Sequence, residues 1–213
     1  RGEAIPSIAS VSRMSIATSE DDSGIGNEVS SCFGNISKLK KVSHPKGTTV
    51  KVENLFENVP VRKKFMKSSV AEKRYIQNII EDFAIAHPSI SFTIKTDGSI
   101  IANWPAVKEE NLRYKEIFGK NEWEKMLPVN YKTGSIEIKG MISKPDFTRG
   151  DRTRMKFFVN RRPVANSDIS YSLIKFYSDK IPLRTYPYAV IFIDIEPGEV
   201  DVNIHPAKKD VKF

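Results

Sequence analysis

The sequence predicts an α+β protein in two parts, and three features carry that reading. The first is a long amphipathic stretch, Val70–His87, with Val70, Ile76, Ile79, Ile80, Phe83 and Ile85 at helical spacing and Pro88 to stop it. The second is a hairpin signal: Ser91–Lys95 and Ser99–Trp104 flank Thr96-Asp97-Gly98, and an Asp-Gly pair favours a tight turn between strands. The third is the strand–strand–helix–strand order of the second part, which ends on the unbroken apolar, β-branched run of a buried strand, Ala189–Ile195.

The remaining elements follow in order. Ile5, Ile8 and Val11/Met14 suit a short helix, followed by a strand that completes residues 1–19. Glu20–Asn35 is polar and carries Gly24, Gly26 and Gly34, so a loop is expected. Lys46–Glu53 alternates as a strand. Pro60–Lys67 reads as a short basic helix, with Pro60 near its start where a missing N–H costs least. The first part is expected to end around Pro105–Lys108, dividing the chain into 1–107 and 108–213. Beyond it, Asn111–Phe118 looks helical, Ser135–Ile142 alternates, and Met155–Val159 is a strand entering the basic turn Asn160-Arg161-Arg162-Pro163. Ser167 is expected to cap a helix over Asp168–Lys180, with Ile169, Leu173, Ile174 and Tyr177 on one face. Tyr188–Ile195 and Val200–Ile204 complete a mixed sheet, and there is no internal repeat.

Composition narrows the class. With 39% hydrophobic residues the chain can bury a core, and no stretch approaches the roughly 18 apolar residues of a membrane helix, so no membrane role is expected. Lone Cys32 permits no internal disulfide and suggests a reducing compartment. His44, His87 and His205 are scattered, without zinc-site spacing.

The net charge of +8 is less telling than its clustering. Arg149, Arg152, Arg154, Lys156, Arg161 and Arg162 crowd one segment, opposed only by Asp151. Arg62, Lys63, Lys64 and Lys67 form a second cluster, and Lys38, Lys40, Lys41 and Lys46 a third. Such patches attract polyanions by counterion release, without strong sequence preference. A solvated charged loop is the competing reading of any one of them.

Four strings decide between broader readings. They are Arg1-Gly2-Glu3-Ala4-Ile5, Gly47–Phe65, Phe158-Val159-Asn160-Arg161-Arg162-Pro163-Val164, and Val200–Phe213 with its His205-Pro206-Ala207-Lys208 core. Together and in this order they resemble the N-terminal region of the MutL mismatch-repair proteins. The resemblance implies the carboxyl-terminal part of a GHKL (Bergerat) ATPase domain followed by a ribosomal-protein-S5-like transducer domain. Arg1, Gly2, Glu3, Ala4 and Ile5 would belong to the phosphate loop and Thr48 would line the nucleotide pocket. Lys208 would be the catalytic lysine reaching the γ-phosphate from the second domain. A compact ammonium suits that task, because it offsets charge building on the transferred group.

The resemblance further implies ATP and Mg2+ as cofactors, a self-dimer, a MutS-type mismatch-recognition partner, and non-specific DNA contact. The DNA candidates are Arg149, Arg152, Arg154, Arg161 and Arg162, with Arg62, Lys63 and Lys64 behind them. Location would be cytoplasmic in a bacterium and nuclear in a eukaryote. The family's earlier acidic-asparagine helix and DNGxG loop, which supply the general base, magnesium ligand and adenine contact, do not occur in these residues. The chain is therefore expected to be a fragment that does not hydrolyse ATP alone. Two alternatives stand beside this: a fragment of another GHKL ATPase of the gyrase B type, and a non-catalytic nucleic-acid-binding S5-like module.

Overall fold

The computed structural model describes residues 2–196 and Gly198. The chain divides into two compact units, one running through Glu72 and the other from Lys73.

The first unit opens with helix α1 (Ala4–Ala9) and strands β1 (Arg13–Ser19), β2 (Ile25–Cys32), β3 (Asn35–Ile36), β4 (Lys40–Ser43) and β5 (Gly47–Glu53), followed by helix α2 (Pro60–Lys64). The strands form one sheet in the order β3-β2-β1-β5, with β4 also pairing β2. Strand β1 is antiparallel to both neighbours, β2 and β5. Strand β2 lies inside the segment expected to be a loop, and that expectation is corrected. Its residues are polar because pairing with β1, β3 and β4, rather than apolar alternation, holds it in place. Gly26 belongs to this strand for steric reasons: a Cβ there would sit 2.6 Å from the Thr18 carbonyl oxygen and 2.9 Å from the His44 Cβ.

Helix α3 (Ser69–Ala86) carries the chain across the division. Its carboxyl-terminal residues Ala84, Ile85 and Ala86 are buried, whereas Val70, Ile76 and Phe83 of the predicted stripe are exposed. The second unit continues with the hairpin β6 (Phe92–Thr96) and β7 (Ser99–Trp104), as expected around Asp97-Gly98. Helices α4 (Glu110–Phe118) and α5 (Lys120–Trp123) lead to β8 (Met126–Thr133), β9 (Ile136–Ser143), β10 (Thr148–Arg149), β11 (Met155–Val159) and β12 (Arg162–Val164). Helix α6 (Ser167–Tyr177), β13 (Tyr186–Pro187) and β14 (Ala189–Asp194) complete the described elements. The main sheet has the order β12-β11-β14-β9-β8. β11 and β14 are parallel and the other pairs antiparallel, so the sheet is mixed. A parallel pair needs a crossover connection, and α6 lies within it.

Alternation along β11 and β14 feeds two cores. Phe158, Val190 and Phe192 face a cluster with Ile85, Tyr114, Phe118 and Met141, and the rings of Phe158 and Phe192 stack 4.6 Å apart. Phe157, Val159, Ala189, Ile191 and Ile193 face the other way, against Ile169 and Leu173 of α6. Burial on both faces is why β14 reads as a continuous apolar run. Among the described residues, no helix is long and apolar enough to cross a membrane. Strand Val200–Ile204 falls outside the described residues.

Candidate nucleotide and nucleic-acid sites

In the first unit, α1 is tied down at its carboxyl-terminal end. The Ser12 hydroxyl donates to the Ile8 carbonyl at 2.7 Å, and the Gly34 N–H donates to the Ala9 carbonyl at 2.9 Å. At the other end Gly2 has φ +126°, and Gly2, Glu3, Ala4 and Ile5 are all exposed. First-turn N–H groups have no intrahelical acceptor, and among the described residues no side chain caps this turn. Thr48 is exposed on β5 opposite Thr18, and their hydroxyl oxygens lie 2.8 Å apart. The Thr18 hydroxyl donates onward to the Gly47 carbonyl at 3.1 Å. Thr48 thus sits toward the Ser19 end of β1, whereas the last turn of α1 is fastened at the Arg13 end. No described hydrogen bond or ion pair joins Thr48 to residues 2–5. Arg1 and Lys208 lie outside the described residues.

In the second unit, the Asn160-Arg161 turn joins β11 to β12 with φ +46° and +65°, the pair of positive angles a tight hairpin requires. The Asn160 side chain pins this turn: its amide nitrogen donates to the Ile195 carbonyl at 2.9 Å, and its oxygen accepts from the Ile195 N–H at 3.0 Å. Arg161 forms an ion pair with Glu110 on α4 and lies over the buried Phe192 ring, 4.9 Å from its centre.

The other basic residues differ in what they meet. Arg154 contacts Glu81 at 2.8 Å and lies over the Phe118 ring. Arg149 lies 3.3 Å from Asp151. The Thr153 hydroxyl and backbone N–H, aided by Arg149, hold the Asp151 carboxyl below its ordinary value. Lys156 is nearly buried and pairs with Asp82 and Glu81 of α3. Arg152 is exposed and rests on the Tyr186 ring at 4.9 Å. Among the described residues, Arg152 and exposed Arg162 meet no acid. Arg62, Lys63 and Lys64 are exposed on the last turn of α2, where the helix dipole favours cations, and belong to the first unit.

An open groove of about 760 Å³ runs between α3 and α6 beside Arg152, lined also by Tyr75, Asn78, Asp82, Lys156 and Tyr171. Among the described residues no group of three or more His, Cys, Asp or Glu is placed to hold a metal.

The structure also brings forward residues the sequence did not single out. Asn166, not Ser167, caps α6: its side-chain oxygen accepts from the N–H groups of Asp168 and Ile169, each at 3.0 Å. Asparagine is among the preferred N-cap residues, so its place one step earlier was an available signal. Glu110, by contrast, carried none, because its pairing with Arg161 is made by tertiary packing.

Similarity to known proteins converges with this geometry. Residues 114–213 match the family described as DNA mismatch repair protein, C-terminal domain. The DNA mismatch repair protein MutL of Opitutus terrae is 38% identical over 213 residues, which cover 100% of this chain and 34% of that protein. The chain thus spans about a third of the length of the curated relatives it matches. The N-terminal domain of a DNA repair protein, known from its crystal structure, superposes with a TM-score of 0.86 at 25% identity, covering 100% of this chain and 69% of that one. The Aquifex aeolicus MutL ATPase domain complexed with ADP gives 0.74 at 25% identity, covering 92% and 72%. The fold class is therefore the expected one, α+β, a GHKL-type part followed by a mixed-sheet part of the S5-like kind, and the chain belongs to the MutL family of DNA mismatch repair proteins.

Proposed function

We propose that this chain is the nucleotide-sensing and DNA-contacting segment of a MutL-type mismatch-repair ATPase. The observation that carries this reading is the match along the whole chain to MutL, together with the likeness to a MutL ATPase domain that binds ADP. On this reading residues 1–107 are part of the GHKL nucleotide-binding domain and residues 108–213 the S5-like transducer.

The exposed backbone of Gly2–Ile5 would receive phosphate, since N–H groups at a helix start and the helix dipole both favour an anion. Arg1 belongs to the same loop by its place in the motif. Thr48 keeps hydroxyl lone pairs on an exposed edge that would line the pocket. Lys208 would bring positive charge to the γ-phosphate from the second domain. ATP and its products would then be distinguished as different interdomain arrangements. The described residues offer no group of ligands for Mg2+.

DNA would be held through its phosphates by Arg149, Arg152, Arg154, Arg161 and Arg162, and secondarily by Arg62, Lys63 and Lys64. Dimerisation, the general base, the mismatch-recognition partner and cytoplasmic or nuclear location are those of the whole protein. The test is to measure ATP turnover and duplex DNA binding on the full-length protein. Salt-sensitive DNA binding together with ATP turnover is expected. DNA binding with no ATP turnover or nucleotide response would favour a non-catalytic nucleic-acid-binding module instead.

A further inference from the structure

Arg161 occupies an unusual position. It is the second residue of a two-residue hairpin turn, at φ +65°, where glycine is favoured because side chains strain that backbone. A residue held there at a cost of about 1–3 kcal/mol points to a role for its side chain. That side chain is held in one place by two contacts: the Phe192 ring beneath it and the Glu110 carboxylate beside it. Glu110 also accepts from the Tyr114 hydroxyl at 3.3 Å, which steadies the carboxylate on α4. Burial, then the charge of Glu110, raises the Tyr114 pKa, so this hydroxyl keeps its proton.

Arg161 is 42% exposed and Glu110 35% exposed, so the pair faces solvent and a phosphate can reach the guanidinium. Exposed ion pairs contribute only about 0.2–1 kcal/mol, which a phosphate contact can replace. Arg152 and Arg162, on the same hairpin and its approach, meet no acid among the described residues. Arg161 therefore differs from them in having a resident competitor.

We infer that Glu110 is a built-in competitor for the phosphate that Arg161 would otherwise bind, lowering the resting DNA affinity of this surface. The inference rests on the DNA-binding reading above. Before DNA can engage Arg161, it must displace a carboxylate tethered to α4. Engagement would then free Glu110 at the start of the helix that follows residues 105–109, so DNA contact is transmitted to that helix.

The experiment is fluorescence anisotropy of a random-sequence duplex oligonucleotide with the full chain, over a salt series. Wild type, Glu110→Gln, Arg161→Ala and the double variant are compared. Glu110→Gln is expected to tighten binding about two- to five-fold, the equivalent of one exposed ion pair. It should also steepen the salt dependence, by at most about 0.9, because the wild-type complex carries the Arg161 phosphate contact only in the fraction where Glu110 is displaced. In the Arg161→Ala background the same substitution should change neither. If Glu110→Gln leaves affinity and slope unchanged, or tightens binding equally without Arg161, the competitor role is overturned. If wild type shows no salt-sensitive binding and Arg152→Ala and Arg162→Ala change nothing, the underlying DNA reading fails instead, and the inference with it.

Discussion

Arg113 donates to the carbonyl of Pro105 at 2.7 Å from a nitrogen that also reaches the carbonyls of Pro88 and Ile90, each at 2.9 Å. One buried side chain on α4 thus gathers the segments entering and leaving the β6–β7 hairpin. Burial lowers the Arg113 pKa, and Glu116, 3.8 Å away, opposes the shift. Among the described residues the guanidinium's Nε and Nη1 have no hydrogen-bond partner, so its place is owed to the three carbonyls.

Replacing Arg113 with Met should therefore cost about 2–4 kcal/mol in chemical denaturation, because buried carbonyls lose a charged donor. The Pro88 carbonyl keeps the Val107 N–H at 2.9 Å, so the loss falls mainly on Ile90 and Pro105. A change under about 0.5 kcal/mol, the range of neutral surface substitutions, would contradict this role.

Lys156 is only 8% exposed and pairs with Asp82 and Glu81. Lys156→Ala removes a nearly buried cation from Glu81 and Asp82, leaving Glu81 paired with Arg154, and should destabilise the chain by about 3 kcal/mol. Lys156→Met with Asp82→Asn should recover part of that loss. Equal denaturation midpoints for wild type and Lys156→Ala would refute the account of this network.

Gly140 pairs with Ile191 of β14 at φ +147°, and a Cβ there would lie 1.9 Å from the Val190 carbonyl oxygen. The obstacle is backbone, so no rotamer relieves it. Gly140→Ala should lower stability by about 2–4 kcal/mol, measured by thermal or chemical unfolding. Unaltered stability would show that β9 and β14 can separate without cost.

Asp151 gives a pH dependence of defined sign. Thr153 and then Arg149 depress its folded pKa below the ordinary 3.8. At pH values between the folded and unfolded values, the unfolded chain binds more protons. The stabilisation is therefore present above about pH 4 and lost as pH falls through the folded value. An NMR titration should find the Asp151 midpoint below 3.8, moving back toward it in Thr153→Ala. A midpoint at or above that value would reverse the sign.

How much of this was legible in the sequence depended on whether local chemistry or tertiary packing determined each feature. β14 was legible because both its faces are buried, and the β6–β7 turn because Asp97-Gly98 states its own geometry. β2 was hidden by polar composition, since its hydrogen bonds come from neighbours distant in sequence. β8 was missed for a different reason. It lies at the sheet edge, where Pro128 and exposed residues protect against unwanted pairing but blur the strand pattern. The basic cluster was visible as a set, yet its division into residues with and without acidic partners required the fold. The four family strings located the candidate nucleotide residues through motif identity, while the described hydrogen bonds and ion pairs leave Gly2–Ile5 and Thr48 unjoined.

The most direct measurement is ATP turnover by the full-length protein with Lys208→Ala. If Lys208 supplies charge to the γ-phosphate, turnover should fall by about a hundred-fold, the typical effect of removing one preorganised donor from a developing oxyanion. Turnover equal to wild type would contradict the role of Lys208 and the nucleotide-sensing account built on it.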